Sequence, residues 1–115
     1  MILDKLKTSL LAVVDDVYRY QAPDNAPVPY AVWAEDTRFD FEADGTHVER
    51  AWQGTIDYYT RTEGDETVED IEDCLTGLDI PWKLNSIQYE EDTGIIHFEW
   101  VWNTYGDATM EEFSA

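Results

Sequence analysis

Apolar residues at the start of the chain recur at steps of three and four. Ile2, Leu3, Leu6, Leu10, Val13, Val14 and Val17 fall on one side, with Asp4, Lys5, Lys7, Thr8, Asp15 and Asp16 on the other. That spacing predicts an amphipathic helix over Ile2 to Val17. Pro23, Pro27 and Pro29 then lack amide donors and exclude a helix across 22–29. Tyr30-Ala31-Val32-Trp33-Ala34 is rich in strand formers and is closed by Glu35-Asp36, which predicts a short strand. A long acidic loop is expected from Asp36 to Thr46. From His47 to Thr62 the pattern alternates, with Val48, Trp52, Ile56 and Tyr58 on one parity and Glu49, Gln53, Thr55 and Asp57 on the other. Successive strand side chains point to opposite faces, so this long strand has one buried and one wet face. Gly54, on the apolar parity, is placed for a bend or a bulge.

Helical spacing returns with Val68, Ile71, Leu75 and Leu78, with Cys74 beside them. Asp65 is the expected N-cap, and Glu66 suits the first turn. Glu69, Asp70, Glu72 and Asp73 cover the solvent side, where like charges three and four apart weaken the helix, so packing must hold it. Trp82 to Glu90 and Ile95 to Thr104 predict a hairpin around Glu91-Asp92-Thr93-Gly94. A three-residue loop would set Gln88 opposite Phe98. A four-residue loop would set Ile87 opposite Phe98 and Tyr89 opposite Ile96. Burial favours the second, because a one-residue slip turns the whole apolar set to the wrong face. The resulting order is αββαββ. It predicts a two-layer α+β domain over 1–105, with a mainly antiparallel four-stranded sheet and two helices packed on one face. Residues 106–115 lack any period and are expected to form a flexible C-terminal tail.

Composition changes the picture in one respect. The 115 residues include 5 Trp, 7 Tyr and 4 Phe, large side chains that a disordered acidic tail would lack. Charge is the outlier: 26 Asp and Glu against 7 Lys and Arg leave a net −19. So few cations cannot replace the counterions of a nucleic acid, nor hold the chain to an anionic membrane. The single cysteine, Cys74, excludes an internal disulfide and a multi-cysteine zinc site. No apolar run approaches the ~18 residues of a membrane span. Asp4 and Asp15-Asp16 interrupt the N-terminal patch where a leader would stay apolar, so no signal peptide is expected.

Candidate chemistry is sparse. Asp40-x-Glu42-x-Asp44-Gly45 imitates the start of a calcium-binding loop, but Ala51 stands where its bidentate Glu is needed and the flanks read as strands. Phe39 and Phe41, interleaved with these acids, point instead to an amphipathic contact segment. His47 and His97 fit no metal-binding spacing, and His97 reads as a surface or interface residue. With so many carboxylates, a glycosidase-like pair carries no specificity. The tryptophans could form a sugar platform, but Trp52, Trp100 and Trp102 sit on core parities. Asp73 and Glu72 beside Cys74 oppose thiolate formation. No nucleophile elbow or phosphate-cradling loop occurs. We therefore expect no catalytic role, no cofactor and no metal.

Surplus acid has three candidate meanings. The chain could mimic nucleic acid and inhibit a basic DNA-processing protein. It could be adapted to high salt, where screening relieves self-repulsion. Or copies of it could line a passage through which DNA moves without sticking, which requires a closed ring.

Pro29-Tyr30-Ala31-Val32-Trp33-Ala34-Glu35, Gly54-Thr55-Ile56-Asp57-Tyr58-Tyr59-Thr60-Arg61, Trp82-Lys83-Leu84-Asn85 and Thr93-Gly94-Ile95-Ile96-His97 favour the third. Together they resemble the tail terminator or tail completion proteins of long-tailed bacteriophages, also called head-to-tail joining or minor tail proteins. The resemblance covers residues 2 to 105. It implies a non-catalytic virion protein, assembled in the host cytoplasm, that forms a ring, a hexamer, on the tail tube. Such a ring stops tube growth, contacts the neck and lets DNA pass without specific binding. Two segments are candidates for oligomer or tube contacts: Phe39, Asp40, Phe41, Glu42 and Asp44 of the acidic loop, and Ile95, His97 and Val101 on the outer parity of the last strand, too apolar for a wet face.

Overall fold

The computed structural model describes the backbone of residues 2–43 and 47–104, and the side chains of these residues other than 40–50. Along the chain run α1 (Ile2–Val13), β1 (Val17–Arg19), β2 (Tyr30–Ala43), β3 (His47–Thr60), α2 (Thr67–Gly77), β4 (Trp82–Glu90) and β5 (Ile95–Asn103). The strands make one sheet in the order β1-β2-β3-β5-β4. The α+β class is as expected, but the sheet has five strands rather than four and is mixed rather than antiparallel throughout.

The added strand is β1, parallel to β2 from Val17↔Ala31 to Arg19↔Trp33. Three residues are too few to show alternation, and Val17 happens to continue the helical spacing. Helix α1 instead stops at Val13. Asp15 and Asp16 would face the negative end of its dipole, and the Asp16 carbonyl accepts the Ala31 amide hydrogen at 2.9 Å.

A second correction concerns the acidic loop. The strand does not end at Ala34. It continues to Ala43, paired with β3 from Thr37↔Gln53 to Ala43↔His47 after an irregularity between Glu35 and Thr37. The acids there suggested a loop, yet Arg38-Phe39-Asp40-Phe41-Glu42 itself alternates, and β3 offers it a partner backbone. Strand β3 ends at Thr60, two residues before the expected limit. The β4–β5 register is the burial-favoured one, with Ile87↔Phe98 and Tyr89↔Ile96, plus an irregularity between Leu84 and Ser86. Gly94 closes the turn at φ 73°, a left-handed conformation that suits glycine.

Both helices cover the same face. Leu6 and Leu10 of α1 and Ile71 and Leu75 of α2 meet Ala31, Trp33, Ile56, Tyr58, Trp100 and Trp102 of the sheet, and none of these is more than 1% exposed. The ends of α2 are built from local chemistry. Asp65 precedes the cap position, which Glu66 occupies, but its Oδ1 still accepts the Thr67 amide hydrogen at 3.0 Å. Its Oδ2 accepts the hydroxyls of Tyr58 at 2.7 Å and Thr60 at 2.8 Å, tying the helix start to β3. At the other end Asp79 is left-handed at φ 56°. Its amide donates to Thr76 and that of Ile80 donates to Leu75. This is a Schellman stop, with Ile80 and Leu75 buried at its apolar contact.

Candidate functional site

The fold leaves one element outside the two layers. Strand β5 pairs with β3 only from Gln53 to Thr60, and β1 pairs with β2 only from Ala31 to Trp33. Beyond these limits, 37–43 and 47–52 form a two-stranded arm with no third strand among the described residues. Seven residues of strand reach about 23 Å. A lone two-stranded ribbon is marginal in water, so a surface lying against the arm would stabilise it.

Its root is tightly built. Gly54 sits where a Cβ would lie 2.1 Å from the Ala34 carbonyl oxygen and 2.5 Å from Trp102 Cζ2. The Trp102 ring therefore lies against the Gly54 backbone. Thr104 extends the β5 edge: its amide donates to Trp52 at 2.7 Å, and its hydroxyl accepts the Trp52 amide hydrogen at 2.8 Å. Arg38 lies over the Trp52 ring, 5.7 Å from its centroid. On the β1 side, Arg19 donates to Glu35 Oε1 at 2.7 Å and stacks over Trp33 at 4.6 Å, and the Tyr20 hydroxyl donates to the same carboxylate oxygen. Burial pushes the Glu35 carboxyl up, but the bonds from Tyr20 and Arg19 outweigh it and hold it below the usual range. Three buried polar atoms at this root have no protein partner among the described residues: Glu35 Oε2, Trp52 Nε1 and Trp102 Nε1. Each such atom costs about 1–3 kcal/mol unless something meets it.

The sheet face away from the helices carries a second feature. Tyr18, Tyr30, Tyr59 and His97 form a stripe across β1, β2, β3 and β5, with ring centroids 6.0, 4.7 and 4.3 Å apart in succession. His97 Nε2 lies 2.6 Å from Asp57 Oδ1. Burial, then the nearby Asp57 charge, pushes the Tyr59 hydroxyl up to about 12.

The expected contact residues separate into these two places. Phe39 is on the arm and 48% exposed. Asp40, Phe41 and Glu42 hold backbone positions on the same strand, in register with Arg50, Glu49 and Val48. Extended pairing there is incompatible with the helix-loop-helix calcium reading. Asp44 lies outside the described residues, as does the expected tail 106–115. Ile95, His97 and Val101 are half-buried on the open face of β5. The structure therefore does not bring the two sets together into one site. Sequence reasoning missed the tyrosines of the stripe, which become visible only when register sets Tyr30 opposite Tyr59 and Tyr59 opposite His97. It also missed the Arg19–Tyr20–Glu35 cluster, since β1 was not anticipated.

Among the described residues no group of three His, Cys, Asp or Glu side chains could hold a metal ion, and no helix is long and apolar enough to cross a membrane. Burial, then Asp70 and Asp73, raises the Cys74 thiol, whose Sγ lies 3.4 Å from the Ser9 carbonyl oxygen on α1. Of the two acids expected to raise it, Asp73 contributes, and Asp70 stands in the place of Glu72. Trp100 and Trp102 lie in the core, while Trp82 is 37% exposed and donates to the Thr76 hydroxyl.

No protein-family model matches the sequence, and no curated protein is similar to it. Among solved structures, the fold is similar to a chain from the virion of a native gene transfer agent particle. The TM-score is 0.51 at 14% identity, over 89% of this chain and 88% of that one. At this identity, what the two chains share is a small α+β fold.

Proposed function

We propose that the protein is a non-catalytic structural subunit of a phage-like virion, acting at the end of the tail tube as a tail terminator or head-tail joining ring. The projecting β2–β3 arm carries the reading. It is a six-rung ribbon whose paired backbone rises from a packed root and has no third strand beside it among the described residues. Such an element is stabilised by lying on a neighbour, either a second copy or a tube subunit. The fold shared with a chain of a gene transfer agent virion is consistent with this role. In a ring of six copies, acids facing the lumen would make a negative wall that lets DNA slide past without sticking.

The test is co-assembly. Purified protein mixed with a tail-tube subunit of the same particle should form closed rings by electron microscopy and cap tubes at a defined length. Monomers at high concentration that leave tube length unchanged would overturn the reading. A second reading, mimicry of nucleic acid, draws on α2, whose exposed Glu66, Glu69, Asp70 and Asp73 line its solvent side. Salt-sensitive capture of a nuclease instead of tail proteins would establish that alternative.

A further inference from the structure

The sheet has two unequal ends, and they complement each other. At one end β4 has no strand on its outer side among the described residues. Its first half is guarded against edge pairing by Pro81, by Lys83 and by the irregularity at Asn85. Its second half has no such protection. Ser86-Ile87-Gln88-Tyr89 is uncharged, and Ile87 and Tyr89 are 58% and 64% exposed. From Ile80 to Tyr89 the only charge is Lys83, in a chain with 26 carboxylates. At the other end β2 is covered by β1 only as far as Trp33, so its outer edge from Asp36 to Ala43 is unpaired among the described residues. That edge carries Asp36, Asp40 and Glu42 against Arg38.

We infer that the Ser86–Tyr89 edge of β4 in one copy pairs with the Asp36–Ala43 edge of β2 in the next copy, joining subunits through a shared sheet. Three observations support this assignment. Both edges have unpaired backbone groups, and strand addition satisfies them with main-chain hydrogen bonds. In a molecule of net −19, the acid-free stretch Ser86–Tyr89 is the part of β4 that can approach an acidic neighbour with the least like-charge repulsion. And the two edges lie at opposite ends of one sheet, so the contact is head-to-tail and can repeat until it closes. Pairing would also give the arm a third strand that it lacks among the described residues. This inference rests on the ring reading above, but it can fail independently of it.

The test uses the full chain, with mass measured by light scattering across a concentration series. Ile87→Asp places a carboxylate on the exposed β4 edge, facing the acids of β2. It should raise the concentration needed for half-assembly roughly tenfold or more, while thermal unfolding of the monomer stays unchanged because Ile87 packs little in the free chain. In a Cys74→Ala background, the pair Gln88→Cys and Thr37→Cys treated with a short bifunctional maleimide should give a ladder of covalent oligomers, and either cysteine alone should leave monomers. If the wild type forms rings, Ile87→Asp assembles as well as the wild type and no ladder appears, the edge assignment is wrong and the ring reading stands. If the wild type stays monomeric, alone and with tube subunits, both fall.

Discussion

Gly54 occupies a position that no larger side chain fits. A Cβ placed there would meet the Ala34 carbonyl oxygen at 2.1 Å and Glu35 Cα at 2.9 Å, both backbone atoms that cannot rotate away. Trp102 would have to leave the floor of the arm root as well. Gly54→Ala should therefore cost about 1–3 kcal/mol in urea unfolding, the usual penalty for overpacking a filled site. The same variant should change the tryptophan emission, because Trp102 is otherwise fully buried. The sequence flagged this glycine as anomalous by its parity alone. What made it necessary, an indole from β5 lying across β3, depends on a register that no local pattern contains.

At the scale of elements, the joint between β3 and α2 is the best-defined polar device. The Asp65 carboxyl feels burial, which raises it, but bonds from Tyr58, the Thr67 amide and Thr60 outweigh that and hold it below the ordinary range. A carboxyl depressed in the folded state stabilises above its unfolded value, about 3.9, and that contribution is lost as pH falls through the folded value. Tyr58 is the mirror case. Burial, then its bond to Asp65, pushes it up to about 12. Its contribution is complete below about 10 and is lost as pH rises toward the folded value. Asp65→Asn should cost about 1–2 kcal/mol near neutrality, flatten the acid limb, and lower the tyrosinate absorbance midpoint of Tyr58. Both helices, the β4–β5 register and the long β3 were readable because periodicity over nine or more residues is a strong signal. Strand β1 was not, because three residues cannot express a period. The arm was misread because acids were weighed as loop formers, although Phe39 and Phe41 already alternated with them. Of the candidate contacts, the sequence located segments but not surfaces: the tyrosine stripe that flanks His97 exists only through cross-strand neighbours.

At the scale of the whole molecule, charge sets the terms. Glu63, Glu66, Glu69, Asp70 and Asp73 are all exposed in or beside α2. Glu69 and Asp70 lie in the first turn, where the helix dipole favours them. Asp73 lies farther along, four residues from Glu69 and three from Asp70, so both these neighbours oppose it. Asp73→Lys should raise stability by about 0.5–1 kcal/mol at low salt, read from the unfolding midpoint. The gain should shrink as salt is added, since the screening length falls from about 30 Å at 0.01 M to about 10 Å at 0.1 M. The wild type should itself melt at higher temperature in the saltier buffer. Association should respond more steeply than folding does, because bringing copies together crowds surplus carboxylates that a single molecule keeps apart. A melting temperature that rises with salt while ring formation does not would mean that the acids are already neutralised at the contact, and would assign that contact to the few cations on α1 instead of the acid-free Ser86–Tyr89 stretch of β4.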